Sequence, residues 1–263
     1  MQLCDSIRIT MYPDLFGVDN LSYILCMVIG IIAALVIASV YLWKKGFKKS
    51  GIIDLLICAC SGIALGIIFA VLFENLYEAI KFGKDYHWVW KMTFLGGLFG
   101  GVIGFFFPYL IMRKNIKFDI KPVLMIAPVS ITVAHAIGRI GCFLAGCCYG
   151  LPTDSWIGID FPNDGLGKVI PTQLIEAIFL FLLAGVLLLV LLLKNFKYTF
   201  LIYLGSYGVF RFIIEYYRGD ERGVAFALSP SQVWCIIIII GLFPVYLLLT
   251  KVFSVSDEKE QVN

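Results

Sequence analysis

The sequence predicts an all-α integral membrane protein with about seven transmembrane helices. Of its 263 residues, 60% are hydrophobic and only 15% are charged. Soluble domains average about 45–50% apolar and about 25% charged residues. The apolar residues are also gathered into long runs that are separated by short polar segments. Both observations indicate a bundle of bilayer-spanning helices.

Seven of these runs have the length that a helix needs to cross a bilayer, about 20 residues. They cover residues 21–43, 51–73, 92–112, 123–146, 171–193, 199–217 and 230–250. The third run is rich in glycines, at spacings that let helices approach closely. The fourth is interrupted by proline, as membrane helices tolerate. No linker-like segment divides the runs, so we expect one polytopic domain over residues 1–263.

Lysine and arginine residues predict the orientation of the spans. The segments after the first and third spans each carry four of them, and the segments on the opposite side carry fewer. Because cytoplasmic loops are enriched in these residues, we expect the N-terminus outside and the C-terminus in the cytoplasm. Segments 74–91 and 147–170 are then expected to face outward over the site.

Two predicted spans contain buried basic residues. Arg139 lies in the fourth span with His135 one turn before it, and Arg211 lies in the sixth with Glu215 one turn after it. A cation in hydrocarbon costs roughly 2.5–3.5 kcal/mol on insertion scales and usually marks a pathway or a site. Since both arginines fall in the outward half, we predict an outward-open chamber where guanidinium groups clamp a phosphate. The alternative is a structural Arg211–Glu215 pair that locks helices together.

Three cysteines follow Arg139 at the outer end of the fourth span, namely Cys142, Cys147 and Cys148. In an oxidising compartment two of them could form a disulfide. A nearby cation favours a thiolate nucleophile, and plain packing as small apolar side chains is the third alternative. A metal site together with His135 lacks the usual ligand spacing, so no metal is expected.

Several segments, in order along the chain, resemble the signatures of one family. Residues 138–143 are similar to its Gly-Arg-x-Gly-Asn-Phe signature, and Gly150 matches the glycine that closes it. Residues 171–176 resemble its Pro-Ser-Gln-Leu-Tyr-Glu segment. Residues 207–218 resemble its Tyr-Gly-x-x-Arg-Phe-x-x-Glu-x-x-Arg segment, and residues 228–232 its Leu-Ser-x-Gly-Gln segment. On these motifs the chain resembles the prolipoprotein diacylglyceryl transferase family.

The resemblance implies a bacterial enzyme of the cytoplasmic (inner) membrane without a cofactor. It would move diacylglyceryl from phosphatidylglycerol to the thiol of a lipobox cysteine in a secreted precursor, forming a thioether and releasing glycerol phosphate. Arg139 and Arg211 would hold the lipid phosphate, and Tyr207 would help to position it. Glu176 and Glu215 would orient these groups or keep the helices in register. The substrate-binding residues implied by the match are Arg139, Arg211, Gly138, Gly150, Glu176 and Glu215.

The chain departs from the family at several polar positions. Cys142 and Cys147 stand where the family signature has Asn and Glu, and Leu95 and Ile170 stand where it has histidines. His135 is therefore a candidate replacement base, because an imidazole can take a thiol proton near neutral pH. The alternative for His135 is a helix–helix hydrogen-bond partner.

Two other functions stay open at this point. A divergent family member would transfer a group derived from phosphatidylglycerol to another acceptor. A transporter of anionic lipids or small anions would also use two arginines and a glycine-rich helix, although the chain shows no repeated half. The net charge of +3 gives no sign of nucleic-acid binding. The expected partners are phosphatidylglycerol, the lipobox acceptor and the bilayer.

Overall fold

The computed structural model describes residues 21–89, 93–112, 118–161, 167–219 and 228–261. Within these ranges the chain forms seven α-helices, each of which overlaps one predicted apolar run. The helices are α1 (Leu21–Lys44), α2 (Lys49–Phe82), α3 (Phe94–Ile111), α4 (Ile120–Leu144), α5 (Thr172–Lys194), α6 (Thr199–Ile214) and α7 (Pro230–Gln261).

Three short elements complete the described secondary structure. A single 3-10 turn, Gly83–Asp85, follows α2, and a second one, Glu215–Tyr217, follows α6. Between α4 and α5, β1 (Ile159–Asp160) pairs with β2 (Lys168–Val169) as a two-stranded antiparallel sheet. Apart from this small sheet, the ordered elements are helical.

Five of the described helices are long and apolar enough to cross a bilayer, namely α1, α2, α4, α5 and α7. Helices α3 and α6 are shorter, with 18 and 16 residues. The structure thus confirms an all-α membrane protein. The number of spans and the sides on which the termini lie stay predictions.

Helices α2 and α7 continue beyond the apolar runs that predicted them. Helix α2 has 34 residues and ends at Phe82 rather than at residue 73, and α7 has 32 residues and reaches Gln261. An apolar run indicates only the part of a helix that lies in the bilayer. The helix itself continues until a residue with a non-helical backbone conformation ends it. In α2 this happens at Gly83, whose φ of 56° favours glycine.

The helices form two compact units. Among the described residues, the first unit comprises residues 42–119, with α2 and α3. The second comprises residues 21–41 and 120–261, with most of α1 and all of α4 to α7. All candidate site residues of the sequence analysis lie in the second unit.

In the first unit, glycines bring the backbones of α2 and α3 into contact. A Cβ atom at Gly104 would lie 2.6 Å from the carbonyl oxygen of Ser61 and 2.9 Å from the Cα atom of Gly62. At Gly101 the corresponding atom would meet only the Gly62 oxygen, at 3.8 Å. The close approach therefore depends on particular glycines of α3, and Gly104 is one of them.

Asn75 fastens the segment that follows the apolar part of α2. Its side-chain amide donates hydrogen bonds to the carbonyl oxygens of Val71 and Val89, both at 2.8 Å. Its Oδ1 accepts from the backbone N–H of Val89 at 2.9 Å and from the hydroxyl of Tyr86 at 2.8 Å. The described part of segment 74–91 is thereby held against the end of α2.

Helix α5 has one face buried in the second unit and one face exposed at the surface of that unit. Leu180, Leu187 and Leu191 recur on one helix face and are buried. Leu182 and Leu189 are equally apolar, yet they are 67% and 58% exposed. Lipid tails are as apolar as leucine, so such an outer surface carries no penalty in a bilayer.

Two specific contacts fix α4, α5 and α6 beside one another. The hydroxyl of Thr199 at the start of α6 donates a buried hydrogen bond of 2.8 Å to the carbonyl oxygen of Met125 in α4. The rings of Phe179 in α5 and Phe210 in α6 are stacked, with centroids 3.9 Å apart and an interplanar angle of 4°. These three helices supply most of the candidate site.

We expect Gly104→Ala to destabilise the first unit, and Gly101→Ala to leave its stability nearly unchanged. The added methyl group at residue 104 collides with backbone that cannot rotate away, and such overpacking typically costs about 1–3 kcal/mol. Thermal unfolding of the two purified variants in detergent measures the difference. Equal unfolding temperatures would show that α2 and α3 do not approach as closely as described.

Candidate phosphate-binding site

The outer end of α4 continues into a compact turn and the small sheet. Phe161 and Val169 form a buried apolar cluster there, and Phe143 at the end of α4 packs against it. Gly150 pairs with Arg218 in an isolated antiparallel bridge. The described part of segment 147–170 is therefore tied both to α4 and to the chain that leaves α6.

The carboxylate of Glu176 is the centre of the site. Glu176 lies in the first turns of α5 and is 0% exposed. Arg139 of α4 places its Nε atom 3.0 Å from Oε1 of Glu176. The hydroxyl of Tyr207 in α6 donates to the same oxygen at 2.9 Å, and Nε2 of His135 lies 3.8 Å from it. One buried oxygen thus joins α4, α5 and α6.

Arg139 keeps hydrogen-bond donors that the described residues around it do not use. Its Nε atom pairs by charge with Glu176, yet it is buried without a hydrogen-bond partner among the described residues. A guanidinium group has five N–H donors in a planar fork. Donors of this group therefore remain for a ligand, on a side chain that is only 8% exposed.

Arg211 is held by a second carboxylate. Its Nη2 atom lies 2.7 Å from Oε2 of Glu215 and 3.3 Å from the hydroxyl oxygen of Ser231. The hydroxyl of Ser229 donates to the other oxygen of Glu215 at 2.7 Å. The i, i+4 ion pair that the sequence offered as a structural alternative is thus present. Nη1 of Arg211 is nevertheless buried without a hydrogen-bond partner among the described residues.

The charge of Arg211 also acts on Glu176, the partner of Arg139. The two arginines therefore belong to one electrostatic system, although each has its own carboxylate. Unpaired N–H groups in a buried site cost free energy unless a ligand or water satisfies them. A pair of partly unused guanidinium groups is the donor set that suits a phosphate.

His135 occupies the edge of this arrangement. Its side chain is 26% exposed, and its Nε2 atom lies 3.5 Å from the hydroxyl oxygen of Tyr207. The two rings meet edge to face, with centroids 4.9 Å apart. The structure thus brings His135 to the polar cluster and gives it a neighbour on another helix. Its role as a base stays a prediction.

The structure also brings the three cysteines together. The Sγ atoms of Cys142, Cys147 and Cys148 all lie within 4.8 Å of one another, and no disulfide joins any two of them. Hydrogen bonds from the Cys142 and Cys147 thiols, with the charges of Arg218 and Arg139, hold the pKa of the Cys148 thiol well below its usual range. The trio therefore borders the arginine site.

Two residues that the sequence analysis did not single out hold this turn in place. The side-chain amide of Gln173 donates to the carbonyl oxygen of Cys147 at 2.7 Å. The hydroxyl of Thr172 donates to the carbonyl oxygen of Cys148 at 2.8 Å. Both side chains are fully buried in the first turn of α5. Polar residues at the start of an otherwise apolar run were the available signal.

The two candidate glycines differ in their surroundings. A Cβ atom at Gly150 would lie 2.6 Å from the carbonyl oxygen of Tyr217 and 2.7 Å from that of Ile170. At Gly138, inside α4, the nearest atom would be Sδ of Met27 at an ordinary 3.7 Å. Gly150 thus has a packing reason to be glycine, and Gly138 has none among the described residues.

A comparison with protein-family models identifies the family of this chain. A model of the prolipoprotein diacylglyceryl transferase family matches residues 14–248. The chain belongs to the prolipoprotein diacylglyceryl transferase family. The resemblance predicted from the motifs is confirmed, and every candidate site residue lies inside the matched range.

Relatives named phosphatidylglycerol–prolipoprotein diacylglyceryl transferase match over nearly their whole length. The protein of Clostridium tetani is 34% identical over 239 residues, which cover 88% of this chain and 94% of the relative. The second such transferase of Clostridium perfringens is 32% identical over 240 residues, or 87% and 90% of the two chains. That of Geobacter sulfurreducens is 30% identical over 263 residues, or 94% and 96%. Membership of the prolipoprotein diacylglyceryl transferase family therefore extends over both compact units.

We expect Gly150→Ala to destabilise the protein by about 1–3 kcal/mol, because the methyl group meets two backbone carbonyls. Gly138→Ala should leave stability equal or raise it, since alanine is the better helix former by about 1 kcal/mol. Unfolding in detergent measures both. If Gly138 also approaches the substrate, as the family match implies, its variant loses transfer activity while staying folded. A fully stable Gly150→Ala protein would contradict the packing described here.

Proposed function

We propose that the chain is a phosphatidylglycerol–prolipoprotein diacylglyceryl transferase. It moves diacylglyceryl from phosphatidylglycerol to the lipobox cysteine thiol of a secreted precursor. The observation that carries the proposal is a pair of buried guanidinium groups, Arg139 and Arg211, each beside a carboxylate and each with a buried nitrogen that has no hydrogen-bond partner among the described residues. The names of its relatives support the same reaction.

The phosphate is the group on which the reaction turns. The thiolate of the acceptor attacks the glycerol carbon that is esterified to phosphate, a C–S bond forms, and the C–O bond breaks. Glycerol phosphate leaves with an additional negative charge. Arg139 and Arg211 bind the phosphate in the lipid and stabilise that charge as it develops. Tyr207 shares an oxygen of Glu176 with Arg139 and so positions its fork.

The acceptor thiol must lose its proton. His135 is the candidate base, because it is the partly exposed imidazole beside the arginine site. It shares contacts with Glu176 and Tyr207, which orient the ring. A neutral imidazole that accepts the thiol proton becomes an imidazolium, and the carboxylate of Glu176, 3.8 Å from Nε2, compensates that charge.

The membrane arrangement belongs to the same proposal. Seven spans, with the N-terminus outside a bacterial cytoplasmic membrane, place Arg139 and Arg211 toward the outer leaflet. Phosphatidylglycerol enters laterally from the bilayer, and segment 147–170 covers the site from outside. Secreted precursors present their lipobox on this side.

A transfer assay with purified protein tests the proposal. Phosphatidylglycerol labelled in its acyl chains and in its headgroup is supplied in detergent together with a lipobox peptide. We expect acyl label on the peptide through a thioether and headgroup label released as glycerol phosphate. Label that moves to no acceptor, or lipid that is bound and left intact, would contradict the proposal and favour a transporter.

Arg139→Lys should lower the transfer rate by at least about 100-fold, the typical cost of removing one oriented transition-state donor. Lysine keeps the charge but lacks the planar fork that binds both Glu176 and phosphate. The matched control is Lys194→Arg, the reverse exchange at the exposed end of α5, which should transfer normally. A rate within a few-fold of the unchanged protein would remove the phosphate clamp.

A further inference from the structure

The proposed transfer reaction leaves the three clustered cysteines without a role. Cys142 lies in the last turn of α4, and Cys147 and Cys148 follow the end of that helix. Their Sγ atoms are within 4.8 Å of one another. A single buried thiol behaves as a small apolar side chain. Apolar packing does not explain why three thiols converge on one point beside a cation.

The distances among the sulfur atoms are close to those of a metal site. In a tetrahedral zinc site with Zn–S bonds of about 2.3 Å, two sulfur ligands lie about 3.8 Å apart. The three sulfurs already lie within 4.8 Å of one another. Thiolate ligands select soft or borderline cations, of which zinc is the common example without redox chemistry.

The spacing of the three cysteines along the chain does not predict that their sulfur atoms converge. Four residues separate Cys142 from Cys147, which is not a usual zinc motif. The helix ends at Leu144, however, and the backbone N–H of Cys147 returns to the carbonyl oxygen of Cys142 at 3.0 Å. Cys148 then adopts a φ of 66°, a left-handed conformation that is uncommon for a residue with a side chain.

The loop is also held from outside, as a metal site requires. Gln173 and Thr172 bind the carbonyl oxygens of Cys147 and Cys148 at 2.7 and 2.8 Å. Both donors come from the rigid first turn of α5. The backbone positions of two thiols are thereby fixed before any ligand arrives, which lowers the entropic cost of binding one.

The charges nearby suit an anionic cluster. Three thiolates and one divalent cation carry a net charge of −1. The charges of Arg139 and Arg218 act on these sulfurs. A zinc–trithiolate centre is therefore compensated by neighbouring cations, even though it lies at the edge of an apolar bundle.

We propose that Cys142, Cys147 and Cys148 bind one zinc ion through three thiolates and leave its fourth position open. Three protein ligands with an open fourth position characterise zinc sites that act on a substrate. In the part of the proposal that rests on the transfer reaction above, the acceptor cysteine takes this position through its sulfur.

The step balances without an oxidant or reductant. Binding of zinc releases the three protons of the cysteine thiols to solvent. The acceptor thiol loses its proton to His135 as its sulfur binds zinc, since a coordinated thiol is deprotonated outright. The acceptor sulfur would then form the C–S bond with the diacylglyceryl carbon as the C–O bond breaks, and glycerol phosphate would depart with the proton that His135 had received. The thioether product is a weaker ligand and is released.

Metal binding is tested on the full-length protein, purified in detergent under anaerobic reducing conditions. Titration with Co²⁺ reports a tetrahedral thiolate site by its intense visible and charge-transfer bands, and Zn²⁺ should displace the cobalt. We expect one cobalt per chain. A protein whose three thiols titrate as reduced but which gives no such bands would overturn the proposal, and so would purification with a disulfide in the trio that blocks binding.

Serine variants assign the site to the trio. Cys147→Ser and Cys148→Ser should each weaken Co²⁺ and Zn²⁺ binding by at least about tenfold, since even outer-sphere partners cost that much. Cys60→Ser is the matched control, because Cys60 is an exposed thiol of α2 outside the trio. Equal affinity in Cys147→Ser and the unchanged protein would overturn the site.

The role of the fourth position is read from the same spectrum. A lipobox peptide should shift the cobalt bands as a fourth sulfur binds, and a peptide with serine in place of its cysteine should not. Chelated protein that transfers at the full rate would overturn the role of zinc and leave the proposed function standing. A cobalt site in a protein that transfers to no acceptor would instead contradict the proposed function and leave the metal site standing.

Discussion

Inside an apolar bundle, Oε1 of Glu176 lies 3.0 Å from Nε of Arg139 in α4. The same oxygen accepts a hydrogen bond of 2.9 Å from the hydroxyl of Tyr207 in α6. A buried ion without a partner costs several kcal/mol, so these groups hold one another in place. Because three helices meet at one atom, their register is fixed there. Arg139 is thereby held with its Nε atom at Glu176, and the proposed phosphate site depends on that contact.

The same end of α5 also organises the cysteine turn. Thr172 and Gln173 precede Glu176 by about one turn, and they hold the carbonyl oxygens of Cys148 and Cys147. One short polar stretch of an otherwise apolar helix thus holds both the guanidinium of Arg139 and the backbone of the cysteine turn. Along the rest of α5 one face is buried in the protein, and the exposed leucines of the other face cost nothing in a bilayer. The polar start of α5 supplies site residues, and its apolar remainder packs against the protein and the bilayer.

The sequence predicted what depends on local pattern. Apolar runs predicted the positions of the helices, and helix geometry predicted the Arg211–Glu215 contact, because residues four apart share a face. The contact between Arg139 and Glu176 joins two helices, so it depends on packing that no local pattern contains. The length of α2 was underestimated because its helix continues through polar residues to Gly83. The cysteine cluster depends on where α4 ends, which the apolar run does not mark.

A double-mutant cycle on the transfer rate tests whether Glu176 and Tyr207 act through their shared oxygen. Glu176→Gln, Tyr207→Phe and the double variant are compared with the unchanged protein in the labelled-lipid assay. If both side chains act through the shared oxygen, the two losses are not additive, and the double variant is hardly slower than Glu176→Gln. Losses that multiply independently, or a Glu176→Gln protein with the full rate, would contradict the account.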